Sequence, residues 1–530
     1  MAAMSATVTS PAKPPGSGAP DLHDLVNKQA AEITQLRARV AWFERQLFGR
    51  KSEKRLVEAD GAQGTLGEGF NAHPEQDLPG KTRRVAAHER SATPKQPAND
   101  EATLFFDENK VPVEVIHVAD PDIAGIPPEQ VEVIGEKASH RLAQRPGSYV
   151  ILKYVRQVVK RRDTQALSCP GAPAGVIDGS RADVSFIAGL LVDKFCYHLP
   201  LYRQHQRLAQ AGVKVSRPWL TQLAQSAVAL LEPVFDAQWG AILASRVKRM
   251  DETPIKAGRE GPGKMKPAYF WPVMGEADEI CFHYHPSRRH EHVQQTLGEM
   301  PPPGSVLHTD GYAAYAHYVE KTGIAHAQCW AHCRRAFLKA EQIEPERVEE
   351  ALRHIRALYR IEEDIRERKL AGADKRARRQ EQAVPAAQRF FAWVDAQFAS
   401  QGFLPSSPFT KALAYARERR DGLLLYLDDP DVEIDTNSLE RALRAIPMGR
   451  KNWLFCWTEL GAKQVGIVQS LLVTCRLHEI DPYDYLVDVL QRVGVHPAAR
   501  VHELTPRMWK QLFAANPLRS PLSQGIEHVN

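Results

Sequence analysis

Asp251, Asp310 and Glu440 are the side chains whose types and spacing point most directly to chemistry. Asp251 ends an apolar-alternating run in MDETPIK, and Asp310 ends another in LHTDGY, where Gly311 permits a close turn. Carboxylates at the ends of neighbouring strands are held in place by the sheet and can converge. Glu440 lies in DTNSLERALRAIP, where Asn437, Glu440, Arg441 and Arg444 share one helix face by their spacing. Leu439, Ala442, Leu443 and Ile446 form the adjoining apolar face, so one contact seats the helix and aims Glu440 inward; the helix is expected over Thr436–Ile446, with Pro447 helping to terminate it. All-oxygen ligands suit Mg2+ or Mn2+, which retain waters and need few protein ligands. Two such ions about 4 Å apart serve phosphoryl chemistry, activating the attacking oxygen and stabilising the leaving one. Asp251, Asp310 and Glu440 are therefore the candidate catalytic and metal-binding residues, with Asn437 in support. Arg441, Arg444, Arg450 and Lys451 are the candidate phosphate partners beside them. A lone Asp at a strand end is more often a turn or capping residue. The signal is in the combination.

Other clusters carry less. Cys329, His332 and Cys333 have metal-like spacing but lack a fourth ligand for Zn2+. His283, His285, His290 and His292 alternate along a strand and its sequel, which reads as a solvated face. Trp453 and Trp457 are assigned to core packing rather than to base stacking. Basic residues gather at Arg37–Arg55, including Arg50, Lys51 and Lys54, which form a candidate DNA contact. Lys153–Arg162 and Arg366–Arg379 are two further basic clusters.

The elements that position the carboxylates follow from periodicity. Runs at 242–257, 268–275 and 279–286, then a helix at 291–300 and the strand before Asp310, read as three antiparallel strands, a helix and another strand. That is the order of a ribonuclease-H-like sheet. The fold class expected is multidomain α/β, with this catalytic domain split into 241–343 and 431–469 by a helical insertion at 344–430. Residues 1–20 read as disordered and 21–55 as a coiled coil with a basic segment. Its seam is Leu22, Val26, Gln29, Ile33, Leu36, Val40, Phe43 and Leu47, spaced alternately by 4 and 3. Residues 56–100 read as a linker, 101–180 as a small strand-rich module, 181–240 as a helix-turn-helix-like pair and 470–530 as a helical tail. The pair is expected at Leu199–Ala211 and Ser216–Leu231 around a turn at Gly212, with Ser216 as N-cap and Pro218 in the first turn.

Composition narrows the class. With 530 residues, 43% hydrophobic and 25% charged, the chain reads as several globular units. No apolar run nears the roughly 18 residues of a membrane span. The N-terminus lacks a basic head and apolar stretch, and seven scattered cysteines suit a reducing cytoplasm. Net charge is only +5, so the local clusters, not the total, speak for nucleic acid.

Longer stretches carry a family likeness. LFGRKSEK after the heptad seam, KFCYHLPLYRQ with GVKVSRPWL, MDETPIK, HTDGYAAY, CWAHCRRAF, TNSLERALRAIPMGRKNWLF and TCRLHEIDPYDYL occur in order from about residue 36 to 490. In these the chain resembles transposases of the insertion sequence 66 family, a branch of the DDE transposases. The resemblance implies Asp251, Asp310 and Glu440 as the metal-binding triad, a helical insertion before the glutamate, and His332 near the scissile phosphate. The interval of 130 residues between Asp310 and Glu440 fits such an insertion. It also implies two-metal cleavage of element ends and strand transfer into double-stranded target DNA. The heptad seam points to a homodimer or larger assembly, because two DNA ends must be processed together, and helper proteins from the same element are candidate partners. Relatives carry a cysteine-rich zinc module. Here Cys169 stands alone, so the 101–180 module is expected to be a degenerate, zinc-free version. Two alternatives remain open: a metal-dependent nuclease without strand transfer, and an inactive DNA-binding regulator.

Overall fold

Two β-sheets and a large set of helices build the described part of the chain. The computed structural model describes residues 104–145, 147–400, 405–453 and 456–524, all within one unit spanning Lys95–Asn530. The heptad seam, the Arg50, Lys51 and Lys54 segment and the 56–100 stretch lie outside the described residues.

The first sheet forms from the β-branched runs near the start of the described chain. β1 (Val113–Val118) pairs in parallel with β3 (Ser148–Arg161), which pairs antiparallel with β2 (Val131–Arg145) and with the short β4 (Leu167–Ser168). β2 and β3 join at a tight turn where Gly147 adopts φ +83°, a conformation glycine takes without a Cβ clash. The far C-terminus returns to this sheet: Leu522 packs with Ala143, Val150, Leu152 and Tyr154.

Next come the helices Val184–Phe195, Leu201–Gln210 and Arg217–Ala244. Ser216 caps the last, its hydroxyl accepting from Trp219 N at 3.3 Å, with Pro218 in the first turn. This helix does not stop near Leu231, where the sequence pattern placed its end. It runs 28 residues, through Pro233, to Ala244. By length and composition alone it is long and apolar enough to cross a bilayer. Here its buried Leu220, Leu223, Val228, Leu231 and Val234 belong to the main core instead. Buried Gln238 also ties it inward, donating to Ile280 O at 2.8 Å and Thr474 Oγ1 at 3.0 Å.

The second sheet contains the segments with the carboxylates. Its strands are β5 (Val247–Met250), β6 (Thr253–Gly261), β7 (Lys264–Met274), β8 (Ile280–His285), β9 (Val306–Thr309) and β10 (Ala325–Gln328). β5 and β6 pair antiparallel with one edge of β7 and β8 pairs antiparallel with the other; β9 is parallel to β5, and β10 to β9. Across the sheet the order is β10, β9, β5 with β6, β7, β8.

The helices Pro345–Glu367, Gly372–Arg378, Val384–Ala399, Pro408–Glu418 and Arg420–Leu424 have a core of their own around Trp330, Phe337, Phe390, Phe391 and Phe409. That core reaches Val247, Val306 and Ala327 of the sheet, so the helices pack directly against β5, β9 and β10. The other side of the sheet is covered by the helix Glu459–Leu477, which lies on β8 and on Arg217–Ala244. Gly466 makes this approach possible, because a Cβ there would meet Phe282 O at 2.4 Å. The boundary expected at 469/470 therefore falls inside a buried helix. The stretch from 470 begins within that helix, where Leu471, Leu472, Val473 and Cys475 join the main core.

Candidate active site

Strand register brings the two aspartates together. β5 and β6 keep one register along β7, and Asp251 N donates to Pro272 O at 3.3 Å between them. Asp251 thus lies just past the end of β5, in the two-residue break before β6 continues along the same edge of β7. Parallel pairing sets Val247 against Val306 and Arg249 against His308; Asp251 directly follows β5 and Asp310 directly follows β9, so both leave the same end of this parallel pair. Asp251 Oδ1 accepts from Glu252 N at 2.7 Å, and Asp310 Oδ1 accepts from Tyr312 N at 2.8 Å. Burial pushes the Asp251 carboxyl up to about 7, and the charges of Glu252, Asp310 and Glu440 add to the rise against one opposing backbone hydrogen bond. Negative charge accumulates here without enough positive charge to balance it.

Glu252 is the residue the sequence reading missed. Period-2 alternation assigns it to the face opposite Asp251. Its side chain is only 3% exposed and is gripped by Arg288, with Tyr315 OH donating to Oε2 at 2.5 Å. Burial raises its proton affinity, which Tyr315 and Arg288 oppose and Asp310 reinforces. Arg288 also lies 3.9 Å from the ring centroid of Tyr312, whose OH donates to Arg288 O at 2.6 Å. The acid next to Asp251 and the loop after Asp310 are thereby joined in one network. The pattern Asp-Glu at a strand interruption was the available signal.

Gly311 serves close approach rather than an unusual turn. A Cβ there would stand 2.4 Å from Arg419 Nε and 2.8 Å from Tyr415, and Arg419 NH2 donates to Gly311 O at 3.0 Å. Behind Asp310, Thr309 Oγ1 is 2.9 Å from His326 Nε2. Gly311, Tyr312, His326, Gln328 and Arg419 line a cavity of about 510 Å³ beside the aspartate.

Glu440 comes in on the helix Asn437–Leu443, seated by buried Leu439 and Ala442. Asp435, just before the N-cap Thr436, accepts from Asn437 N at 3.0 Å and Asn437 Nδ2 at 2.5 Å. Asn437 is thus committed to Asp435. Glu440 itself is engaged by the Arg335 guanidinium and stands 3.7 Å from His332 Nε2. Burial lowers the proton affinity of His332, and neighbouring Arg335 lowers it further. The charges of Asp310 and Glu440 are both felt at Asp251. Yet among the described residues no group of three or more His, Cys, Asp or Glu is arranged to hold a metal ion.

Several expectations change at this site. The Glu440 helix ends at Leu443, so Arg444 lies beyond it, and Arg441 and Arg444 are exposed while Asn437 and Glu440 are half-buried. Pro447 does not terminate that helix. It sits in the first turn of the next, Ala445–Trp453, where its missing N–H costs nothing. Arg450 donates to Pro254 O, a tie to β6, and Lys451 is exposed. Cys329 and Cys333 are not a metal pair: Cys329 Sγ accepts from Thr436 N and Oγ1, each at 3.3 Å, and Cys333 is sealed in the helical core. That thiol fastens the Glu440 segment to the start of the helix bearing His332. The histidines expected on a solvated face are largely interior. His283 sits 4.2 Å from Trp239, centroid to centroid, and burial pushes it down to about 3, so it is neutral. His285 stacks on His292 at 4.5 Å. Trp457, assigned to the core, is 49% exposed.

The fold and site define a multidomain α/β protein whose mixed sheet gathers acidic side chains against a helical insertion. Comparison with known families makes this specific. The family model described as Transposase IS66 family matches residues 179–464, one described as IS66 C-terminal element matches 470–507, and one described as Transposase C of IS166 homeodomain matches 35–103. The chain belongs to the IS66 transposase family, and is a transposase of an insertion element. Similar proteins include three from Sinorhizobium fredii (strain NBRC 101917 / NGR234). Uncharacterized protein y4hP is 28% identical over 91% of this chain and 90% of its own length. Uncharacterized protein y4jD is 26% identical over 92% and 96%, and Uncharacterized protein y4qI is 30% identical over 73% and 74%. The homeodomain match covers the stretch read as a linker.

Proposed function

We propose that this transposase cuts element ends and joins them to target DNA at Asp251, Asp310 and Glu440, on a ribonuclease-H-like sheet. The strand order supports that fold: an antiparallel trio β5, β7, β8 with β9 and β10 added in parallel beside β5. The observation that supports the reading is that Asp251 and Asp310 directly follow β5 and β9, two adjacent parallel strands, with excess negative charge around them.

That donor set fits divalent cations in kind, being oxygen-only, part-buried and under-neutralised. Two Mg2+ or Mn2+ ions, when bound, supply activation of a water or 3′-hydroxyl and stabilisation of the leaving oxygen. Asp251 and Asp310 would hold them from the sheet, and Glu440 from its helix once Arg335 releases it. Arg335, freed in this way, is placed to meet a phosphate, and His332 lies beside the same carboxylate. Arg288 and Tyr315 restrain Glu252, so it does not compete with Asp251 for a cation. Arg441, Arg444 and Lys451, exposed on or just after the Glu440 helix, contribute backbone attraction for duplex DNA. The homeodomain-like region at 35–103, with Arg50, Lys51 and Lys54, provides a further DNA contact, and the heptad seam pairs two copies so that two ends are processed together.

The test is nicking and strand transfer by the full chain on DNA carrying the element's ends, with Mg2+ or Mn2+. Asp310→Asn is expected to lower both by roughly a thousand-fold or more, since a metal-site carboxylate acts as part of a unit. Equal activity in wild type and variant would remove the mechanism. Cleavage without joined product from pre-cut ends would leave only the nuclease.

A further inference from the structure

β6 continues from the site to a hairpin whose outer surface carries exposed Lys256, Arg259 and Lys264. The segment beyond the Glu440 helix returns to this strand. Cys456 N donates to Lys256 O at 2.9 Å, and Gly258 N donates to Cys456 O at 3.1 Å. This bridge closes the free edge of β6 and fixes the next residue, Trp457, on the outside. The Arg259 guanidinium lies 4.7 Å from the indole centroid. Core packing does not account for a tryptophan held half in water by a backbone bridge and partnered by a cation.

The surroundings favour a polyanion with flat groups. Lys256, Arg259 and Lys264 face solvent, and Lys451 is exposed on the helix that packs along β6. Lys266 is neutralised by Glu459 at 3.7 Å, and Glu260 is an exposed acid at the hairpin. Basic charge still prevails. An aromatic platform within a basic surface is how proteins hold single-stranded nucleic acid: cations follow the backbone and bases stack on the ring.

We propose that Trp457 and Arg259 stack on an unpaired base of the DNA, while Lys256 and Lys264 hold its phosphates. The choice of DNA as partner rests on the transposase reading. The bridge at Ala257 lies six residues along β6 from Asp251, about 20 Å at roughly 3.3 Å per residue. The stacked base is therefore more than half a turn of duplex from the carboxylates, outside the reacting step.

Binding without metal separates this inference from the cleavage chemistry. The full chain in EDTA would be titrated by fluorescence anisotropy with oligo-dT and with a duplex, each of about 20 nucleotides. Trp457→Ala is expected to weaken oligo-dT binding roughly five- to hundred-fold and to leave duplex binding unchanged, while Trp457→Phe retains most of the affinity. Arg259→Ala would also lower the salt slope by about 0.7. Oligo-dT bound equally by wild type and Trp457→Ala, or equal losses on both DNAs, would overturn the proposal. Photocrosslinking of the wild-type chain to iododeoxyuridine-substituted oligo-dT covers the case of a variant that fails to fold. Crosslinked peptide at Trp457 supports the stacking site, and its absence there overturns it. Because no cleavage is read, an inactive triad leaves these outcomes intact.

Discussion

Two buried acidic sites in this molecule sit in opposite circumstances. In the helical insertion, Glu362 receives Arg379 through two hydrogen bonds of 2.8 and 2.9 Å. Arg379 is fully buried, and its remaining N–H groups reach the carbonyls of Tyr426, Asp429 and Val432 at 2.6 to 3.0 Å. Every charge there has a partner. Around Asp251, by contrast, Glu252, Asp310 and Glu440 add negative charge, and the arginines present are engaged with Glu252 and Glu440. The first arrangement locks helices together. The second leaves its negative charge unbalanced within the protein, at the price of stability, as the proposed cation site requires. The same residue types serve structure or chemistry according to whether their charges are balanced within the protein.

The contrast breaks most visibly at the satisfied pair. Arg379→Met strands Glu362 and three carbonyls in the interior and is expected to destabilise the fold by roughly 3–5 kcal/mol. Chemical denaturation measures this, and a change within error would mean that the pair is dispensable. The effect at the unsatisfied site has the opposite sign. The Asp251 proton affinity is raised from 3.8 to about 7, so the native state retains a proton that the unfolded chain releases. Stability from this group is full below pH 4 and falls as pH rises to about 7. Asp251→Asn should therefore be more stable than wild type at pH 8 without divalent ions, by roughly 1–4 kcal/mol, with the advantage vanishing near pH 4. Thermal unfolding of both proteins across that range reads it directly. A destabilised variant at pH 8 would show that the carboxylate is compensated after all.

Much of the site was legible in the sequence because strands advertise themselves by alternation. Asp251 and Asp310 stood out at the edges of apolar runs, and the Glu440 helix was readable from Leu439 and Ala442. What stayed hidden depends on contacts between distant segments. Glu252 looked like the outward neighbour of Asp251, since nothing local announces Tyr315 and Arg288. Alternating histidines read as a wet face, but the helices Arg217–Ala244 and Glu291–Leu297 cover them, and His283 became a neutral core residue. Pro447 was taken for a helix stop when its place in the first turn made it a start. The Arg379–Glu362 pair was illegible for the same reason as the exposure of Trp457. Both are set by tertiary pairing, three backbone carbonyls in one case and the Cys456 bridge to β6 in the other.

Anomalous diffraction from crystals of the full chain soaked in Mn2+ tests the central claim most directly. Manganese peaks ligated by Asp251 and Asp310, with Glu440 turned from Arg335 toward them, are the expected result. A well-ordered site with no manganese beside either aspartate at saturating Mn2+, or with Glu440 still held by Arg335 and out of reach, would contradict the account.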